Sequence, residues 1–145
     1  MPRRPFGQKY GEPYSLNIAN PGAGAQATVT LPAGSLYWIC SLGFALVCDA
    51  NVATRVAGIQ WNETTQFLAI YPRQIIAGTN WFFSFNRGGA HGTGTISGAI
   101  TNYGYGNMPT NLIVNGGTVF GTQIQNLQAG DLITSINLLA LRYVA

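Results

Sequence analysis

The longest regular pattern in the chain alternates apolar residues with smaller or more polar ones between positions 36 and 48. Side chains of a strand point to opposite faces with a period of two residues. The pattern therefore predicts one long strand with a deeply buried face. Gly43 within it indicates a bulge or a close approach by another backbone. The face expected to be buried consists of the even positions Leu36, Trp38, Cys40, Leu42, Phe44, Leu46 and Cys48.

Shorter alternating segments, separated by turn residues, follow and precede this strand. Trp81, Phe83 and Phe85 share one face of their segment, which predicts core packing. In the last segment the apolar parity changes near residues 135–139, which predicts a bulge or burial on both faces. Pro72 is expected to end the segment that contains it. The predicted strands cover residues 25–31, 54–61, 67–71, 80–87, 95–103, 118–124 and 132–144, with loops at 88–94 and 104–111.

These segments predict an all-β protein with eight or nine strands, because no convincing helical pattern appears between the turn signals. The fold expected is a single antiparallel β-sandwich or jelly roll. Parallel pairing is not expected, since parallel strands need long crossover connections. Residues 1–24 contain four prolines and four glycines without any period and predict an extended N-terminal arm. The β-sandwich domain is then predicted to span residues 25–145.

The composition replaces charge with amides and hydroxyls. The chain is 47% hydrophobic, yet it has seven Lys and Arg and four Asp and Glu among 145 residues, against 39 Asn, Gln, Ser and Thr. An average soluble domain has roughly a quarter of its residues charged. Because surface charge keeps free monomers apart, this composition predicts a building block that is covered by copies of itself or by a larger assembly.

Three of the basic residues, Arg3, Arg4 and Lys9, lie at the start of the arm. Such an arm can bind nucleic acid or an acidic protein surface, or can simply be solvated. Three phosphate contacts would give only a shallow salt dependence, so nucleic acid is not the favoured partner. No apolar run is long enough to cross a bilayer and no signal-peptide pattern follows the basic start, so no membrane partner is expected.

The sequence offers little for catalysis or metal binding. His91, the single histidine, lies in a glycine-rich loop, whereas a metal site needs three or four converging ligands. Arg55 is expected to pair with Asp49 as a structural clasp, and Asp131 to hydrogen-bond within its turn. Cys40 and Cys48 lie about 26 Å apart if they share one strand, far beyond the ~7 Å that a disulfide allows. The sequence therefore predicts free thiols, no catalytic residue, no metal and no cofactor.

Two short motifs resemble known proteins. Residues 31–34 (LPAG) and 37–39 (YWI), followed by a turn with Ala53 and Arg55, resemble small structural proteins of tailed bacteriophages. Residues 127–133 (LQAGDLI) are similar to the entrance of a late strand in jelly rolls of the TNF and C1q type. The resemblance implies a virion protein assembled in the host cytoplasm. It would be a capsid decoration, or cement, protein, usually a homotrimer, that sits on the major capsid protein.

Other functions stay open at this point. A tail, collar or receptor-binding protein with the same fold would contact a host glycan or protein through one of the loops. A small shell protein would bind the genome through the arm, and an enzyme acting on sugars is a further alternative. For the virion protein, the residues expected to contact a partner are Arg3, Arg4, Pro5, Phe6, Lys9 and Tyr10 of the arm, with Tyr103, Tyr105 and Met108 of the predicted loop.

Overall fold

The structure, a computed structural model, describes residues 11–62, 66–88, 92–95 and 101–144. Within these residues the chain forms eleven strands in two sheets and no helix, which confirms the all-β prediction. No helix that could cross a membrane occurs in the described part. The strands are β1 (Glu12–Ile18), β2 (Thr28–Thr30), β3 (Ser35–Val47), β4 (Arg55–Asn62), β5 (Gln66–Ile75), β6 (Asn80–Arg87), β7 (Gly92–Thr95), β8 (Thr101–Met108), β9 (Ile113–Asn115), β10 (Val119–Thr122) and β11 (Leu132–Val144).

The strand order is that of a jelly roll. The large sheet has the order β1-β11-β3-β6-β8-β7, with β9 also paired to β3, and the small sheet has the order β2-β10-β4-β5. Apart from β7, β8 and β9, the strands make two four-stranded sheets, β1-β11-β3-β6 and β2-β10-β4-β5, as in an eight-stranded jelly roll. The remaining three strands widen the large sheet.

The long predicted strand exists, but it does not keep one face buried. Tyr37 and Ile39 are fully buried in its first half, whereas Leu42, Phe44 and Leu46 are buried in its second half. Ile39 pairs with Ala140 and Ser41 pairs with Leu139, which are consecutive residues of β11. Cys40 is therefore an extra residue in β3. A bulge of one residue moves side chains to the opposite face. The predicted buried face is therefore wrong for Leu36 and Trp38. Gly43, expected at a bulge or a close backbone approach, pairs with Asn137 at the edge of a register shift in β11.

The last strand matches its prediction in both extent and irregularity. Thr134 pairs with Ala45, but Asn137 pairs with Gly43, so β11 carries one extra residue between them. Ser135 adopts a φ of 52° at this point. The predicted bulge is thus confirmed.

One pair of strands departs from the expected antiparallel arrangement. β6 and β8 are parallel, while β7 is antiparallel to β8 on its other side. β7 runs in the direction opposite to β6, and β8 then reverses direction again and lies between β6 and β7. β8 is therefore parallel to β6 without a long helical crossover.

Three boundaries also differ from the prediction. Pro72 lies inside β5 instead of ending it. Residues 92–94 and 104–108, both predicted as parts of loops, belong to β7 and β8. Proline is tolerated in strands at a sheet edge, and β5 is the edge strand of the small sheet.

Aromatic side chains fill the space between the sheets. Phe44 packs on Phe83 and Phe85 with ring centroids 5.3 and 6.2 Å apart, and Trp81 stacks on Phe83 at 5.7 Å. The predicted core face of residues 80–87 is therefore confirmed. Room for Phe85 comes from β8, because a Cβ atom at Gly106 would lie 2.3 Å from its ring.

Part of the predicted arm joins the large sheet. Residues 12–18 form the edge strand β1, which pairs with β11 over its whole length. Ile18 is buried, and Tyr14 packs against the core. The division at residue 24 stays a prediction, and residues 1–10 lie outside the described part.

Candidate interaction surface

A buried ion network holds together the loops at one end of the sandwich. Arg55 and Asp131 have fully buried side chains, and Asp49 is 17% exposed. Arg55 Nη2 donates to Asp49 Oδ1 at 2.6 Å and to Asp131 Oδ1 at 2.8 Å, and its Nε donates to Asp131 Oδ2 at 2.9 Å. The predicted pairing of Arg55 with Asp49 is confirmed. We call these three residues the clasp.

The clasp also satisfies the backbone of the loops around it. Asp131 accepts hydrogen bonds from the backbone N–H groups of Asp49 and Gln128, each at 2.8 Å. Arg55 Nη1 donates to the carbonyl oxygens of Asn51 and Ala53. Each charged group is therefore fully engaged within the protein. The role of the clasp is structural, since it fixes the loops that follow β3 and precede β11.

The electrostatics of the clasp follow from these contacts. Burial raises the pKa of the Asp131 carboxyl, but the hydrogen bond from Arg55 and the two backbone donors outweigh burial and lower it overall. The hydrogen bond to Asp131 raises the pKa of the Arg55 guanidinium despite burial. Burial likewise raises the pKa of the nearby Cys48 thiol, and the charge of Arg55 opposes this effect. Cys48 is therefore a protonated core thiol.

Three further charged side chains that the structure describes have partners. Glu12 and Arg142 form an ion pair of 2.9 Å between β1 and β11. The guanidinium carbon of Arg87 lies 4.4 Å from the ring centroid of Trp38. The side chain of Arg73 is not among those that the structure describes.

The side of the large sheet turned away from the core is a broad surface on which the described charged group is the guanidinium of Arg87, which lies over Trp38. We call this side the outer face. Residues paired across neighbouring strands share a face, and the pairing registers of β1, β11, β3, β6, β8 and β9 define the members. The residues on the outer face include Pro13, Ser15, Asn17, Leu132, Thr134, Asn137, Leu139, Leu141, Trp38, Ser41, Gly43, Ala45, Val47, Asn80, Phe82, Ser84, Asn86, Tyr103, Tyr105, Asn107 and Ile113.

The outer face has a polar middle and apolar flanks. Ser41 and Gly43 of β3 pair with Asn86 and Ser84 of β6, which makes the centre rich in small and amide side chains. On β11, Leu139 is 45% exposed, and on β8, Tyr105 is 43% exposed. Isolated exposed apolar residues are common on proteins, but these occur on both flanks of one face of the sheet. Such a mixture suits contact with another protein surface.

A second exposed feature lies at the end of the sandwich that the clasp holds. Val52 is completely exposed and Ile76 is 66% exposed. Their loops are adjacent, because Gly78 donates a backbone hydrogen bond to Asp49 at 2.8 Å. We call the loops of residues 48–54, 76–79 and 125–131 the clasp end. It presents two aliphatic side chains on loops that an ion network fixes.

The two cysteines are the described residues that the sequence analysis weighed for metal or disulfide chemistry. Cys40 and Cys48 are free thiols, as predicted, with Cys48 buried. Among the described residues there is no group of three or more His, Cys, Asp or Glu that could hold a metal ion. His91 lies outside the described residues.

The predicted contact residues fall in different places. Tyr103 is partly buried and packs against Phe82 with ring centroids 6.1 Å apart, and Tyr105 lies on the outer face. Met108 is only 2% exposed, so its placement on an exposed loop is wrong. Since β8 continues to residue 108, the strand turns Met108 toward the core. Arg3, Arg4, Pro5, Phe6, Lys9 and Tyr10 lie outside the described part.

Sequence reasoning missed both Asp131 as the main partner of Arg55 and the outer face as a whole. Asp131 is 76 positions from Arg55 along the chain, so no local pattern joins them. The outer face was hidden because apolar residues occupy both faces of β3 and β11. Comparisons with known protein families, with curated protein sequences and with solved structures find no match.

Proposed function

We propose that the protein is a non-enzymatic structural protein of a phage virion, a decoration protein that binds and stabilises the assembled head. The observation that carries this proposal is the low charge of the outer face, where the Arg87 guanidinium lies over Trp38, together with the ion pairs of the clasp and of Glu12 with Arg142. A surface of this kind can be covered by protein with little burial of unpaired charge, which would cost several kcal/mol per group.

The strand order supports the proposal from a second direction. The resemblance of residues 31–55 and 127–133 implies a jelly roll, and the two four-stranded halves follow that order. Jelly rolls occur in viral capsid proteins, but they also occur in lectins and enzymes. The fold by itself therefore does not favour a capsid protein, and it supports the proposal only together with the properties of the outer face.

The clasp end and the arm are the parts that we expect to contact the shell. Val52 and Ile76 offer apolar contact on loops that need little further ordering, because the clasp already fixes them. Preorganised loops lose less entropy on binding. The arm precedes β1, whose first residue pairs with Arg142 near the far end of β11. The start of β1 and the clasp end thus lie at opposite ends of the sandwich. The shell partner expected is the major capsid protein.

Co-sedimentation tests this function. The full chain is mixed with DNA-free heads of the phage that encodes it, and in parallel with host cells. We expect saturable binding to heads, a higher temperature of head disruption and no binding to cells. A Val52→Asp variant should bind heads at least tenfold more weakly, whereas Thr30→Asp, an exposed position on the small sheet, should bind normally. A chain that binds neither unmodified heads nor cells would contradict a virion surface role.

A receptor-binding role in the tail or collar is the second candidate. It is favoured by the exposed ring of Tyr105 next to the amides of Asn86 and Asn107 on the outer face. An aromatic ring beside amide groups can hold a sugar through apolar and hydrogen-bonding contacts. Binding to host cells, lost on Tyr105→Ala and absent with heads, would select this function instead.

A further inference from the structure

We propose that the outer face carries a binding site for a sugar that bears a carboxylate. The site consists of the cation of Arg87, the amides of Asn86 and Asn107, and the ring of Tyr105. We call these four residues the Arg87 site. The inference deepens the second candidate function and rests on it for its setting, because it names the class of sugar that the surface around Tyr105 would hold. Sugar binding itself can be measured on the free protein.

The guanidinium of Arg87 is held in place without an acidic partner among the described residues. Its carbon lies 4.4 Å from the ring centroid of Trp38. Trp38 is itself fixed, because its Nε1 donates a hydrogen bond to the carbonyl oxygen of Thr110 at 3.2 Å. The ion pairs that the described residues form do not include Arg87, which is exposed. A guanidinium that stacks on a ring still presents its N–H edge, and that edge matches the two oxygens of a carboxylate.

A second arginine shows what the Arg87 site lacks. Arg142 also lies over an aromatic ring, with its guanidinium carbon 5.6 Å from the ring centroid of Tyr14. Unlike Arg87, it has a carboxylate of the protein beside it, since its Nη2 donates to Glu12 Oε2 at 2.9 Å. A carboxylate at Arg87 would therefore have to come from a ligand.

The neutral residues of the site suit the rest of a sugar. Asn86 and Asn107 are paired in register on the neighbouring strands β6 and β8, and Tyr105 lies two residues before Asn107 on the same face. Ser84 donates a hydrogen bond to Asn86 Oδ1 at 3.2 Å, so the amide N–H groups of Asn86 remain as donors for a ligand. Tyr105 is 43% exposed. A sugar ring can pack its C–H groups on an aromatic ring while amides bind its hydroxyls.

The spacing of these groups suits a short oligosaccharide with an acidic unit at one end. Asn107 and Asn86 lie in one row with Ser41. Tyr105 lies two residues to one side of this row, and Trp38, which carries Arg87, lies two β11 residues to the other side. At about 3.3 Å per residue, the site extends about 13 Å along the strands.

The balance of charge selects this class of ligand. A strand of nucleic acid is bound mainly through several cations that neutralise its phosphates, whereas the structure describes one cation here. A neutral sugar would leave the guanidinium without an ionic partner. One cation among amide and hydroxyl groups matches a ligand that has one carboxylate beside several hydroxyls.

Isothermal titration calorimetry of the full chain tests the site with two acidic probes, 3′-sialyllactose and trigalacturonate, and with lactose as the neutral probe. We expect at least one acidic probe to bind about tenfold more tightly than lactose, because a charge-assisted pair adds that much affinity. Arg87→Gln should remove this difference, and Tyr105→Ala should weaken the binding of every probe. Arg142→Gln is the matched control and should bind all three as the native chain does. Thermal unfolding of each variant checks that it folds.

The inference would be overturned if neither acidic probe bound more tightly than lactose, or if Arg87→Gln bound them as Arg142→Gln does. The same variants are tested on host cells and on heads. Cell binding without a preference for acidic sugars would contradict the inference and leave the receptor function standing. A preference for acidic sugars without cell binding would contradict the receptor function and leave the site standing. Loss of head binding in Arg87→Gln, without sugar binding, would show that these residues contact the shell instead.

Discussion

At the scale of single residues, the protein uses its few charges to fix loops. Arg55 and Asp131 are completely buried. Protein oxygens accept the hydrogen bonds that Arg55 donates, and protein N–H groups donate to the oxygens of Asp131. Burial of an ion pair is tolerable only when such additional hydrogen bonds are present. The charged groups of the clasp thus lose their hydration, and their hydrogen bonds hold the clasp end in one conformation.

Arg55→Met tests this role. The substitution leaves Asp131 buried without its partner, so we expect the free energy of unfolding to fall by about 3–5 kcal/mol. Arg142→Met breaks an ion pair whose side chains are 37% and 57% exposed, and it should cost less than about 1 kcal/mol. Urea unfolding followed by tryptophan fluorescence measures both. Equal losses for the two variants would show that the clasp contributes no more than a surface pair.

The lowered pKa of Asp131 predicts a dependence of stability on acid. A carboxyl whose pKa is lower in the folded state stabilises the protein above the pKa of the unfolded chain, near 4. That stabilisation is lost as the pH falls through the folded-state pKa. We therefore expect the free energy of unfolding to decrease below about pH 4 in the native chain.

Asp131→Asn should be less stable at neutral pH and should lose part of this acid dependence. Unfolding by urea at neutral pH and at steps below about pH 4 measures the difference. Parallel pH curves for the two proteins would show that Asp131 does not carry the effect.

At the scale of elements, a glycine in β8 lets the core aromatic Phe85 pack against the sheet. A Cβ atom at Gly106 would lie 2.3 Å from the Phe85 ring, whereas one at Gly43 in β3 would meet its nearest neighbour at 3.4 Å. We expect Gly106→Ala to lower the free energy of unfolding by about 1–3 kcal/mol, because the ring must shift within a packed core. Gly43→Ala should change it by less than about 0.5 kcal/mol. Thermal unfolding compares the two, and similar melting temperatures would contradict the packing argument.

The elements also show how far local patterns reach. The extents of β6 and β11 follow from period-two patterns in which one face is clearly apolar, and the β11 bulge follows from a change of parity. The buried face of β3 does not follow from its pattern, because Trp38 and Leu42 are both apolar residues at even positions and yet lie on opposite faces. Only the pairing with β11 shows that Cys40 is an extra residue.

At the scale of the whole molecule, two surfaces with little exposed charge face in different directions. The outer face is a broad surface of mixed polar and apolar side chains, and the clasp end presents two exposed aliphatic side chains. Weak contacts of this kind become strong when many copies engage a symmetric assembly at once. A protein that stabilises by binding only the assembled state raises the stability of that state by mass action.

The sequence by itself determined the all-β class, the sandwich, the extents of the clearest strands, the free thiols and the scarcity of charge. These properties depend on composition and on local periodicity, which any segment carries without its neighbours. The tertiary structure alone decided the parallel β6–β8 pair, the burial of Met108, the contact of Asp131 with Arg55 and the position of the Arg87 guanidinium over Trp38. Each of these depends on which distant segments pair and in which register. Many apolar residues contribute similar energies to strand pairing, so the sequence pattern does not show which of the possible pairings is the most stable.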